Sequence, residues 1–139
     1  MNDPETIQTI LENTKAIAVV GLSHRHERPS HRVSRYMQQQ GYRIIPVNPV
    51  TLQKTILREK VYPSLDAAAA ESKFQLVNVF RDSPFVPEIV KDVMRLKIPY
   101  LWLQEGVCHE EAVGWAEAAG VKVVMDRCIL KDHAALARK

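Results

Sequence analysis

The sequence predicts an α/β fold of three layers, Rossmann-like, with a parallel sheet of about five strands and helices on both faces. Three observations predict it. Short apolar runs alternate with helical patterns along the whole chain, the signature of strand–helix–strand units with right-handed crossovers. The apolar runs are nearly unbroken, as strands buried on both faces require. The first run, Ala16-Ile17-Ala18-Val19-Val20, stops at Gly21 and gives way to a basic loop that opens onto a helix. In this fold class that strand-to-helix turn is where phosphate sits, against free N–H groups and the positive end of the helix dipole.

Each element has a local reason. Asp3 caps a first helix with Pro4 at its first position and Ile7, Ile10 and Leu11 on one apolar face. Ala16 to Val20 is the first strand. Ser30 is the expected N-cap of the second helix, where Val33, Tyr36, Met37 and Gln40 recur at helical spacing and Gly41 supplies a left-handed end. Tyr42 to Val47 is the next strand, stopped by Asn48-Pro49. A loop follows, then a short extended piece at Val61-Tyr62. Ser64 caps a short helix through Ala70, and Leu76 to Phe80 is a strand. Ser83-Pro84 opens a helix that buries Val86, Ile89, Val90, Val93 and Met94, and Pro99 forbids its continuation. Tyr100 to Leu103 is a strand. Glu110 and Glu111 favour the first turn of a helix closed by Gly120. Val121 to Met125 is the last main strand, and no element is assigned beyond it.

Composition sets the function classes. A chain of 139 residues, 46% hydrophobic and 25% charged, reads as a single globular domain over residues 1–139. The net charge of +3 comes from Lys and Arg spread along the chain, so no nucleic-acid surface is demanded. Cys108 and Cys128 are the only cysteines and form no CxxC. That fits free thiols in a reducing cytosol and neither a disulfide framework nor a zinc site. The segment Met1 to Asn13 carries Asp3 and Glu5 and no apolar core, unlike a secretory signal. No run approaches the roughly 20 apolar residues of a membrane span. The expectation is a cytoplasmic protein with no membrane contact.

In a doubly wound sheet, ligands bind outside the carboxyl ends of the strands, at the switch in strand order. Those ends are Gly21-Leu22-Ser23, Val47-Asn48-Pro49, Phe80-Arg81-Asp82, Gln104-Glu105-Gly106 and Asp126-Arg127-Cys128. Arg25 and Arg28, with His24, His26 and His31, lie in or beside the first of these loops, which points to an anionic, nucleotide-like ligand. The histidines lack a carboxylate or cysteine pattern that would make them a metal site. A dinucleotide dehydrogenase is opposed by the details. Its fingerprint needs three glycines at G-x-G-x-x-G spacing, and only Gly21 is present, with Ser23 and His26 at the other two positions. The acid expected after the second strand for the ribose hydroxyl is replaced by Val47-Asn48-Pro49.

Gly21-Leu22-Ser23, Arg28-Pro29-Ser30-His31 and Pro46-Val47-Asn48-Pro49 together resemble the small stand-alone CoA-binding proteins with a Rossmann-like fold. The resemblance continues through Tyr62-Pro63-Ser64-Leu65, Val79-Phe80-Arg81, Leu101-Trp102-Leu103-Gln104, Gly106-Val107 and Val123-Val124-Met125-Asp126-Arg127-Cys128, in order and over nearly the whole chain. The same domain type is similar to the N-terminal domain of succinyl-CoA synthetase α subunits. There are departures. The family commonly carries a glycine where Arg58 stands, Val50 and Leu52 replace small residues, and Cys108-His109 replaces less reactive ones.

The resemblance implies coenzyme A, or an acyl-CoA, as the ligand, held through its 3′-phospho-ADP part. Gly21, Leu22 and Ser23 would form the phosphate turn, and Arg28 would meet anionic charge beside the Pro29-Ser30 helix start. Val47, Asn48 and Pro49 would neighbour adenine or ribose, Phe80 and Arg81 would stand on the third strand end, and Gln104 and Gly106 would line the pantetheine path. No nucleophile–base pair, carboxylate pair or metal set stands out, and adjacent residues such as Cys108-His109 rarely place a thiol against its base. The expected function is a binding module. The alternative is a CoA-dependent enzyme or subunit, of ligase or transferase type, completed by a protein partner. A nicotinamide-dependent reductase ranks third.

Overall fold

The computed structural model describes residues 1–138. Its elements in chain order are α1 (Pro4–Asn13), β1 (Ala16–Val20), α2 (Pro29–Gln39), β2 (Arg43–Val47), β3 (Thr55–Ile56), β4 (Glu59–Lys60), α3 (Leu65–Glu71), β5 (Leu76–Val79), α4 (Val86–Arg95), β6 (Tyr100–Leu103), α5 (Glu110–Ala118), β7 (Lys122–Val124) and α6 (Ile129–Ala137). Five strands form one sheet in the order β2-β1-β5-β6-β7, all parallel. The chain leaves β1 for one edge at β2, then returns across β1 to β5. The switch in strand order therefore falls at the carboxyl end of β1.

The sheet is covered on both faces, which makes this a three-layer Rossmann-like α/β fold. The two-residue side-chain period of a strand divides the core. Ile17 and Val19 of β1 point to the face covered by α1, α2 and α6, where Ile7, Ile10, Val33, Met37 and Ile129 pack. Ala18 and Val20 point to the face covered by α3, α4 and α5, with Leu65, Val86, Val90 and Ala112. Trp102 is fully buried, and its indole N–H donates to the Arg127 carbonyl at 2.8 Å. No helix among the described residues is long and apolar enough to cross a membrane.

Several boundaries differ from the sequence reading for physical reasons. Helix α2 starts one residue before the expected cap. Arg28 is the N-cap, without a side-chain cap bond, and Pro29 takes the first helical position, where its fixed φ and missing N–H cost nothing. Ser30 is thereby inside the helix, with its hydroxyl freed for another partner. Ser83–Phe85 forms a 3-10 turn that leads into α4 instead of joining it. The short extended piece at Val61-Tyr62 pairs through a single parallel bridge from Tyr62 to Val47 and adds no further strand to the sheet. The loop after Asn48 contains the β3–β4 hairpin, whose two turn residues, Leu57 and Arg58, have φ of +54° and +66°. Both positive values match the two-residue turn that suits the twist of a hairpin. The turn normally uses glycine or asparagine there, so the pattern was invisible in a Leu-Arg pair. Helix α6, unassigned in the sequence reading, buries Ile129 and Asp132.

Candidate functional site

The site begins where β1 ends. Gly21 has φ +89°, and its N–H donates to the Val47 carbonyl at 2.8 Å, extending the β1–β2 ladder by one bond. A Cβ at this position would lie 2.8 Å from the Phe80 carbonyl oxygen and 3.0 Å from Arg81 Cγ, so the backbone approach needs glycine twice over. Leu22 then turns inward and is fully buried. Ser23 is held by both of its peptide groups. Its N–H donates to Ser30 Oγ at 2.9 Å, and its carbonyl accepts from His31 Nδ1 at 2.9 Å. A carbonyl only accepts, so Nδ1 of His31 carries a proton. The first turn of α2 thus fixes the turn after β1 through two side chains. Ser23 Oγ in turn accepts from the Arg25 N–H at 3.1 Å.

The other walls come from the ends of β5 and β6. Phe80 and Arg81 follow β5, and the Arg81 guanidinium stacks on the Phe85 ring at 3.7 Å. Gln104 follows β6 and is almost completely buried; its Nε2 donates to Asn78 Oδ1 at 2.6 Å. The Gly106 N–H donates to Asp126 Oδ1 at 2.7 Å, tying the β6 loop to the β7 loop. Arg127 makes a two-pronged pair with Asp132 of α6, at 2.8 and 2.6 Å. These bonds fix the rim to the ends of several elements.

The result is an open cleft of about 880 Å³ at the carboxyl ends of β1, β5 and β6, at the topological switch. Gly21, Ser23, Arg28, Pro29, Ser30, Phe80, Arg81, Gln104 and Gly106 all line it. Four expected residues do not. Leu22 and Val47 are core residues on opposite faces of the sheet. Pro49 is exposed beyond the edge strand. Asn48 acts from behind the cleft: its Nδ2 donates to the Leu22 carbonyl at 3.0 Å, and its Oδ1 accepts from the Val50 and Thr51 N–H groups at 2.9 and 3.1 Å. The sequence reading of the site omitted Ser83, Pro84, Val33 and Val107, which also line the cleft. Ser83 and Pro84 were legible as a helix start. Their place at the rim follows from the strand-end rule once the helix start is set directly after β5.

The cleft is cationic on balance. Arg25, Arg28 and Arg81 line it against Asp82 and Glu105, and Glu105 is already paired with Lys131 at 3.1 Å. None of the three arginines has an ion-pair partner among the described residues. The Ser30 N–H, in the first turn of α2, is one of the donors a helix cannot satisfy from within. Cationic side chains and a helix N-terminus therefore converge on one space. Among the described residues no three His, Cys, Asp or Glu side chains gather closely enough to hold a metal ion. Cys128 lines the cleft and Cys108 is exposed beside it. The Cys108 thiol is pushed up from its ordinary pKa by local desolvation and then by the Asp126 and Glu110 carboxylates, which holds it as the less nucleophilic thiol.

Residues 15–134 match the profile of a family described as a CoA binding domain. The chain belongs to this CoA binding domain family. It is 42% identical over 128 residues to the uncharacterized protein YneT of Bacillus subtilis, covering 92% of each chain. A solved hypothetical protein from Pyrococcus horikoshii superposes with a TM-score of 0.88 at 31% identity, over 97% of this chain and 92% of that one. A solved protein from Thermus thermophilus superposes with a TM-score of 0.86 at 32% identity, over 96% of this chain and 98% of that one. In this CoA binding domain the residue after β2 is the amide Asn48, turned inward to hold Leu22, where a dinucleotide enzyme would place an acid for ribose.

Proposed function

We propose that this CoA binding domain binds coenzyme A, or an acyl-CoA, in the strand-end cleft and acts as a binding module without chemistry of its own. The observation that carries the reading is the convergence of Arg25, Arg28 and Arg81 with the α2 N-terminus in one open cleft at the switch point. The diphosphate lies against Gly21-Ser23 and the first turn of α2, where backbone N–H groups and the helix dipole favour negative charge. Arg28 meets the 3′-phosphate. The pantetheine arm, which carries two amides, runs over Gln104 and Gly106, where a side-chain amide and backbone groups offer it polar partners.

Two features support binding over catalysis. Buried polar atoms beside the cleft are spent on structure: the Asn78 and Gln104 amides on each other, and Ser30 Oγ and His31 Nδ1 on Ser23. Cys108 stands outside the cleft lining, and its thiol is pushed up from the ordinary value, which disfavours the nucleophilic thiolate. Titration calorimetry with CoA, ADP and pantetheine tests the reading. CoA binds more tightly than either fragment if both halves of the cleft are used. Absence of CoA binding rejects it. Incubation with acetyl-CoA and a thiol reagent tests the second half: CoA release above the buffer rate would make the protein an enzyme.

A further inference from the structure

A second groove, sharing no residue with the strand-end cleft, runs between α2 and the β3–β4 hairpin and has a volume of about 660 Å³. Its walls are fixed. Gln38 of α2 donates its Nε2 to the Leu57 carbonyl at 3.0 Å and so ties the hairpin tip to the helix. Arg35 of α2 and Arg58 of the hairpin tip line it, with Glu59 as the one carboxylate among its lining residues. Neither arginine has an ion-pair partner among the described residues. His31 is 4% exposed and also lines the groove. Its Nδ1 is committed to Ser23, and its Nε2 has no hydrogen bond among the described residues. The ring is stacked on His26 at 4.5 Å, with 18° between the planes, which fixes its orientation.

We propose that this groove is a second anion site and that it takes a phosphate monoester, gripped by Arg35 and Arg58 with His31 Nε2 as the third partner. A carboxylate carries two oxygens in one plane, both taken by a single guanidinium fork, which leaves a second arginine and an imidazole only the remaining lone pairs. A phosphate monoester has three oxygens, and it changes protonation near neutral pH, with a second pKa of about 6. It can therefore offer the imidazole either a P–OH donor or an oxygen acceptor. Arg58 holds its place at a backbone cost, since left-handed φ is unfavourable for any residue with a Cβ. The site stands apart from the CoA reading, because the two clefts share no residue.

The test is a titration of inorganic phosphate at constant pH, followed by NMR of the His31 and His26 ring protons, with acetate in a parallel arm. Phosphate should give a saturable shift at His31, and acetate should not. Arg35→Gln and Arg58→Gly should each weaken phosphate roughly tenfold or more. Arg58→Gly suits the left-handed turn and keeps the hairpin, so a loss there is not unfolding. CoA and dephospho-CoA are then added to the phosphate complex. Phosphate stays bound with both if the groove serves a separate phosphorylated molecule. Displacement by CoA alone would hand the groove to the 3′-phosphate of that ligand, and so overturn a separate site together with the place given to Arg28. No saturable shift, an equal response to acetate, or indifference to both substitutions overturns the proposal. CoA binding measured in the same samples shows whether the strand-end cleft fails with it.

Discussion

Gly21 lies against Phe80 so closely that a Cβ on Gly21 would stand 2.8 Å from the Phe80 carbonyl oxygen. The two residues directly follow β1 and β5, the neighbours at which the strand order switches, and the Phe80 N–H donates to the Val20 carbonyl at 2.8 Å. The seam between these strand ends is the floor of the cleft.

Gly21→Ala should therefore cost stability as well as binding. The left-handed φ alone costs a Cβ-bearing residue about 1–2 kcal/mol, and the contact with a backbone oxygen cannot be relieved by a rotamer change. A loss of about 2 kcal/mol or more in urea unfolding is expected. A variant within about 0.5 kcal/mol of the parent would show that the β1 turn is not held as described.

Asn48 tests action from behind the cleft. Asn48→Ala removes three hydrogen bonds, worth about 1 kcal/mol each before compensation by water, and frees the Leu22 carbonyl. We expect roughly 2 kcal/mol of destabilisation and weaker CoA binding, although Asn48 lines no part of the cleft. Asn48→Asp keeps the acceptor for Val50 and Thr51 but sets a carboxylate oxygen against the Leu22 carbonyl in place of the donor, so it should also fall below the parent in stability. Parent stability in Asn48→Asp would contradict the role given to the Leu22 bond.

These two residues mark how far the sequence could be read. The sheet, its two covered faces and the strand-end rim were legible because buried parallel strands write themselves as apolar runs, and Gly21, Gly41 and Gly120 punctuate them. Asn48 was legible as the end of a strand and as a neighbour of adenine or ribose, but nothing in Asn48-Pro49 says that its amide turns toward Leu22. The inward turn of Leu22 and Val47 was likewise hidden, because a residue at a strand end can face the core or the rim. The hairpin and α6 were missed for opposite reasons. The hairpin uses Leu57 and Arg58 where sequence rules expect glycine, and α6 has no conventional N-cap, Cys128 standing there without a cap bond.

His133 should give stability a pH dependence that has nothing to do with the cleft. It lies between Tyr36, whose hydroxyl is 2.9 Å from its Nδ1, and the Tyr42 ring, with burial holding its pKa below the ordinary value of 6.5. The folded state then binds the proton more weakly than the unfolded chain does. Its contribution to stability is complete above pH 6.5 and is lost as pH falls from there toward the lower folded value. Urea unfolding across this range should show stability declining with acid, and His133→Phe should flatten the decline. An unchanged slope in that variant would move the dependence to another group.

Arg28 should discriminate between CoA and its dephospho form. Arg28→Ala should weaken CoA more than dephospho-CoA, because a hydrogen bond to a charged group is worth about 1.5–3 kcal/mol and only CoA carries the 3′-phosphate. That corresponds to roughly ten- to a hundredfold in affinity. Equal losses for both ligands would place Arg28 on the diphosphate, and no loss for either would make it a solvated surface arginine.

Ligand-induced stabilisation tests the central claim most directly. The melting temperature is measured with CoA, acetyl-CoA, NAD, NADP and ATP at matched concentrations. The cationic cleft, the lone turn glycine and the amide in place of an acid after β2 favour CoA. At 100 times its dissociation constant, CoA adds about 2.7 kcal/mol to the unfolding free energy and raises the midpoint by several degrees. NAD should leave the midpoint where it is. A shift with NAD equal to or larger than that with CoA would contradict the assignment of the cleft.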